Sequence, residues 1–171
     1  MKTIIIVFMS MITTVFYAQT ADEVELANRK NSLVLSAIPS LAGKDYFILE
    51  VVPTNISVIS KINNNYIYYN IEIGGLGETT IAYAKPVSYK PILDKIFINF
   101  VSKAGVKRYF SEISPSGEGV SNLTYFAIYK NGVKTFDLFL PLFQNSSIES
   151  PIDDETLVFL YVDVFVYPDK L

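Results

Sequence analysis

Apolar residues recur along this chain in short blocks, at 32–38, 46–52, 56–61, 66–73, 79–84, 96–102, 107–113, 122–130, 133–140 and 157–167. The blocks are rich in Val, Ile, Tyr and Phe and are bounded by Gly, Asn, Pro or Ser, which is how strands are punctuated. Each is therefore predicted to be a β-strand. Segment 22–30 (DEVELANRK) reads two ways. Its acids lead and its bases follow, as a helix dipole favours, yet Val24 and Leu26 alternate as in a strand.

The sharpest local signal is Asn131-Gly132 between two such blocks. A two-residue type I′ turn needs positive φ at both central positions, which Asn and Gly tolerate. Closure there predicts Lys130 opposite Val133 and Ala127 opposite Phe136. One face would carry Leu123, Tyr125, Ala127, Phe136, Leu138 and Leu140 as core, and the other Thr124, Phe126, Ile128, Thr135, Asp137 and Phe139. Further hairpins are expected at Ala104-Gly105 and through Ile62-Asn63-Asn64-Asn65, because Asn tolerates the left-handed region. Block 157–167 (LVFLYVDVFVY) is apolar on both sides apart from Asp163, which predicts a central, doubly covered strand. Antiparallel neighbours on short turns, with no crossover helices, predict an all-β fold: a β-sandwich or a small closed or partly open barrel.

The first residues belong to a different class of segment. Lys2 precedes an apolar run from Thr3 to Tyr17, followed by small residues and Asp22-Glu23. A charged start, a short apolar stretch and a small-residue exit describe a secretory signal peptide, and the run is short of the ~20 residues that span a bilayer. Residues 1–21 are expected to be removed, leaving a single β-rich domain over 22–171 in a secreted or periplasmic location.

Composition then narrows the chemistry. The chain of 171 residues has a formal net charge of −3 and no Cys, His or Trp. Without disulfides an apolar core must hold the fold, and without a thiol no lipid anchor is expected. Thiolate nucleophiles, imidazole bases, Ser-His-Asp triads and His- or Cys-ligated zinc are excluded within this chain. Basic residues are scattered, so neither a phosphate-binding footprint nor a polybasic hold on a membrane is expected.

One stripe suggests binding. In a strand, Ile67, Tyr69, Ile71 and Ile73 share a core face, while Tyr66, Tyr68, Asn70 and Glu72 share the other. Rigid aromatic area beside hydrogen-bonding groups suits a sugar or peptide groove. The alternative is that these tyrosines simply cover the sheet. As a groove, the stripe predicts that Ala at 66 and 68 removes binding and spares the fold.

Other clusters carry less. Glu149, Asp153, Asp154 and Glu155 match no calcium-loop spacing and read as a solvated loop. Gly74-Gly75-Leu76-Gly77 lacks the Lys-Ser/Thr or the following helix of a phosphate cradle and reads as a strand connection. No metal and no cofactor is expected. The function expected is that of an exported, non-enzymatic binding module for a protein or glycan. The alternatives are a small outer-membrane β-barrel, a carboxylate-based glycan hydrolase and a carrier of a small apolar ligand.

Overall fold

The computed structural model describes residues 21–102, 124–140 and 150–171. The expected signal peptide, save Ala21, lies outside them, as do the block at 107–113 and the turn at Ala104-Gly105. The elements run α1 (Ala21–Ala37), β1 (Asp45–Val52), β2 (Asn55–Ile62), β3 (Asn65–Ile73), β4 (Thr79–Val87), α2 (Pro91–Phe97), β5 (Thr124–Lys130), β6 (Val133–Leu140) and α3 (Asp154–Val158). A π-helix over Phe159–Val166 continues α3. The strands form one antiparallel sheet in the order β4-β3-β2-β1-β5-β6.

The antiparallel sheet is as expected, but it is not closed into a barrel, and the described strands all belong to this one sheet. The sheet is open, ending among the described residues at β4 and β6, and helices cover it. On one face α1 seats Ala27 and Val34 over Ile48, Val58, Ile71 and Ala127. On the other, Ile92, Leu93, Ile96 and Phe97 of α2 join Phe159, Leu160 and Val164 over Phe47, Leu49, Ile59 and Phe126. Tyr46 to Glu50 is consequently buried on every residue, the pattern of a strand covered on both sides. Burying each large apolar side chain contributes ~1.5–3 kcal/mol, so two helical layers supply the core that disulfides do not.

Two expected strands are helical, and a third starts at the end of a helix and runs on as an irregular segment. Block 32–38 covers the last six residues of α1 and the Ile38 that follows it. Its helical signal is the recurrence of Leu26/Ala27, Leu33/Val34 and Ala37/Ile38 along a 3.6-residue period, masked by the polar Asn31-Ser32 between them. Block 96–102 begins inside α2, where Pro91 occupies the first helical turn, a position that needs no N–H donor. Block 157–167 is the α3 and π segment, whose five-residue spacing is visible in the bond from Tyr167 N–H to the Val162 carbonyl, 2.9 Å. An all-apolar run cannot be assigned to strand or helix by periodicity; the cap in front of it decides.

That cap is Asp153, whose carboxylate accepts from the Thr156 N–H at 3.1 Å and the Thr156 hydroxyl at 2.8 Å. Lys95 of α2 donates to Asp153 Oδ1 at 2.7 Å and to Glu155 Oε2 at 2.8 Å. Two of the acids expected in a solvated loop therefore start a helix and tie it to α2; Glu149 lies outside the described residues. Burial pushes the Asp153 carboxyl up, but Lys95 and Thr156 outweigh it and hold it at about 2. A carboxyl held below its unfolded value contributes stability above ~pH 4 that is lost as pH falls towards 2. Asp153→Ala should cost about 1 kcal/mol at neutral pH. Asp153→Asn should keep most of the cap and flatten the acid limb of the stability curve, measured by urea unfolding between pH 2 and 5.

Both central residues of two hairpins have positive φ as expected: Asn63 (49°) and Asn64 (64°), and Asn131 (51°) and Gly132 (75°). The second hairpin closes with Lys130 opposite Val133, but a bulge follows, so Ile128 faces Phe136 and Ala127 faces Asp137. The Thr135 hydroxyl donates to the Ile128 carbonyl at 3.2 Å within it. The extra residue re-phases the strand. Phe136 and Leu138 thus join Phe126 and Ile128, not Tyr125 and Ala127, which share their face with Phe139. Gly132 is required beyond its φ: a Cβ there would lie 2.8 Å from Gly43 N.

Candidate functional site

Both hairpin turns and the α2 region meet at one end of the sheet. Lys61, next to last in β2, pairs across the ladder with Tyr66, the second residue of β3. Tyr66 is turned onto the α2 face and its ring packs against Phe97, 5.5 Å between centroids. Its hydroxyl donates to Asp94 Oδ1 at 2.8 Å. Asp94 sits in the first turn of α2, where an acid complements the helix dipole. Tyr89, in the link from β4, donates to Asp94 Oδ2 at 2.8 Å, and Lys61 Nζ lies 3.5 Å from Oδ1. These groups, with Asn64 and Ile98, line a cavity of about 410 Å³. A neighbouring cavity of about 230 Å³ is lined by Lys44, Asp45, Asn63 and Asn131, and the two share Lys61.

The electrostatics fix the protons. The hydrogen bond from Tyr66, then that from Tyr89, hold the Asp94 carboxyl below the usual carboxylate range. Burial and then the bond to Asp94 push the Tyr66 phenol up, and the bond to Asp94 pushes up that of Tyr89. Near neutrality the cavity therefore presents a fixed anion and two phenols held as donors. Among the described residues lining it, Asp94 is the one carboxylate.

The expected stripe is divided by the structure. Tyr66 lines the cavity, but its body is core, with 4% of its surface exposed. Tyr68 is 1% exposed, and its hydroxyl shares a 2.9 Å bond with the Ser57 hydroxyl. Burial pushes the Tyr68 phenol up to about 12. Asn70 is half-buried with Oδ1 unpartnered, and Glu72 is exposed at the far end of β3. The four residues share a face without forming one open groove. Lys61, Tyr89 and Asp94 carry no signal in the sequence, and Asn64 is marked there only as a turn residue. Reading Pro91 as a helix start would have placed Asp94 in a first turn facing the β2–β3 hairpin.

A second polar cluster lies under α1. Lys30 and Glu50 form an ion pair of 2.5 Å with 14% and 6% of their side chains exposed. Glu50 Oε2 and the hydroxyl of Tyr125, its cross-strand neighbour, are buried without partners. Burial pushes the Glu50 carboxyl up, and Lys30 offsets this only in part. Among the described residues no group of three His, Cys, Asp or Glu stands close enough to hold a metal, and no helix is long and apolar enough to cross a membrane.

No family model matches this chain, and no curated protein and no solved structure matches it either.

Proposed function

We propose that the protein is an exported, non-enzymatic domain that binds a protein or glycan partner through the cavity at the end of its sheet. The observation carrying this reading is the Asp94 carboxylate, aligned by two phenols and Lys61 inside an open cavity of about 410 Å³. A volume of this size falls within the ~300–1,000 Å³ of small-ligand clefts. An acceptor already held in place loses little freedom on binding. Tyr89, 63% exposed, adds a rigid ring beside it. A carboxyl held low and flanked by phenols held high is suited to contact and not to proton transfer, which works best near the ambient pH. The apolar N-terminal run that reads as an export signal supports a partner outside the cytoplasm.

The test uses protein purified from the exported fraction against a glycan array and a displayed peptide library. A retained ligand should be weakened by about tenfold or more, ~1.4 kcal/mol of binding free energy per tenfold, by Tyr89→Ala and by Asp94→Asn, with the near-ultraviolet circular dichroism unchanged. A ligand held equally well by both variants overturns the reading.

A further inference from the structure

All three non-glycine residues with positive φ among the described residues, Asn63, Asn64 and Asn131, line the two adjoining cavities at this end of the sheet. Left-handed backbone is costly for most residues with a Cβ, least so for Asn, and Gly adopts it freely. At the second position of the Asn63-Asn64 turn Gly is the relaxed choice, yet Asn64 stands there with its side chain exposed. The two turns bring three amide groups, each both donor and acceptor, to the lining of these cavities.

The charge around the rim of the cavities is balanced. Lys44 and Lys61 face Asp45 and Asp94, and Asp45 already accepts from the Asn131 N–H at 2.7 Å. A balanced rim gives no net attraction to a polyanion or polycation. Ile62 and Ile98 are its aliphatic members, and apart from Gly43 the other lining residues are polar, charged or phenolic. The smaller cavity, about 230 Å³, is below the usual size of a ligand cleft. Lys61 lines both cavities, so the smaller one lies beside the larger.

We propose that the two cavities form one groove for an uncharged, linear oligosaccharide. One sugar lies against the Tyr89 ring with its hydroxyls on Asp94 and Asn64. The next passes Lys61 and meets Asn63 and Asn131. Adjacent hydroxyls donate and accept at once, matching amides and charge-balanced Lys/Asp pairs. This assignment rests on the reading of the Asp94 cavity as the binding site.

The experiment is titration calorimetry of the exported protein with cello-, chito- and malto-oligosaccharides of one to six units, and with oligogalacturonate as a charged control. At least one neutral series should gain about tenfold or more in affinity between one and three units, and oligogalacturonate should not compete. Asn63→Gly and Asn131→Gly keep a turn that Gly also adopts, so both variants should fold with melting midpoints close to that of the parent, while affinity for the trimer falls about tenfold. Trimer binding lost with Tyr89→Ala but untouched by both Gly variants overturns the extended groove and leaves the single cavity standing. Binding indifferent to all of these substitutions overturns the underlying reading. Failure of every neutral series at millimolar concentration overturns the ligand class.

Discussion

Lys30→Ala should remove about 3–5 kcal/mol of stability at neutral pH, the cost of leaving a buried carboxylate without its counter-charge. Glu50 is 4% exposed, its Oε1 has Lys30 as partner and its Oε2 has none. A single domain is stable by ~5–15 kcal/mol, so this one pair, holding α1 to β1, governs a large share. The pH dependence runs against the intuition that acid breaks ion pairs. Burial keeps the Glu50 carboxyl above its ordinary value even with Lys30 present. A group whose folded pKa exceeds its unfolded one contributes stability that is complete below the unfolded value, ~4.3, and is lost as pH rises through the folded value. Removing Lys30 takes away the main influence lowering that value, so the loss should deepen and extend to higher pH. Urea midpoints of Lys30→Ala and the parent should converge near pH 4.5 and diverge at pH 7.5. Glu50→Gln should cost about 1 kcal/mol, since an amide oxygen still accepts from Lys30, and the double variant Lys30→Met, Glu50→Gln should recover much of the deficit. Equal losses for Lys30→Ala at both pH values would refute the buried-charge account.

The same residue pair marks where sequence reading stops. Lys30 and Glu50 are twenty positions apart, and nothing in either segment announces that one will be buried against the other. What is local was legible: the Asn-Gly and Asn-Asn turns follow from φ alone, and the β1 to β4 meander follows from Val, Ile and Tyr blocks between them. What depends on a partner element was not. Tyr46 to Glu50 reads as a strand, but that helices and not a second sheet cover it depends on α1, α2 and the C-terminal helix. Each of those carries aliphatic runs that imitate strands. The cues that separate them are small and lie in front of the runs: Pro91 before α2, and Asp153 three residues before Thr156. The candidate site inherits that blind spot, because Asp94 and Tyr89 reach Tyr66 only once α2 is recognised as a helix packed on the sheet.

Tyr68→Ala should lower stability by about 3–5 kcal/mol, as truncation of a large core aromatic does. This inverts what the alternating stripe suggests, since a groove residue would be dispensable to the fold. Tyr68 is 1% exposed, its ring lies 5.7 Å from that of Tyr83, and its hydroxyl is paired with Ser57 in the core. Deleting the ring opens a cavity between β3 and the α2 layer and strands the Ser57 hydroxyl, itself 9% exposed. Tyr68→Phe keeps the packing and removes only the hydrogen bond, for which about 1 kcal/mol is expected. Tyr89, on the surface, gives the opposite pattern: its replacement by Ala should leave the urea midpoint within experimental error and weaken ligand. The three variants therefore separate a core role from a contact role on one thermal melt and one titration each. A Tyr68→Ala protein that melts with the parent, while losing ligand, would return that tyrosine to the binding surface and contradict the packing described for β3. A Tyr68→Phe protein should keep both its fold and its ligand, because the phenol faces Ser57 and not the cavity beside Asp94.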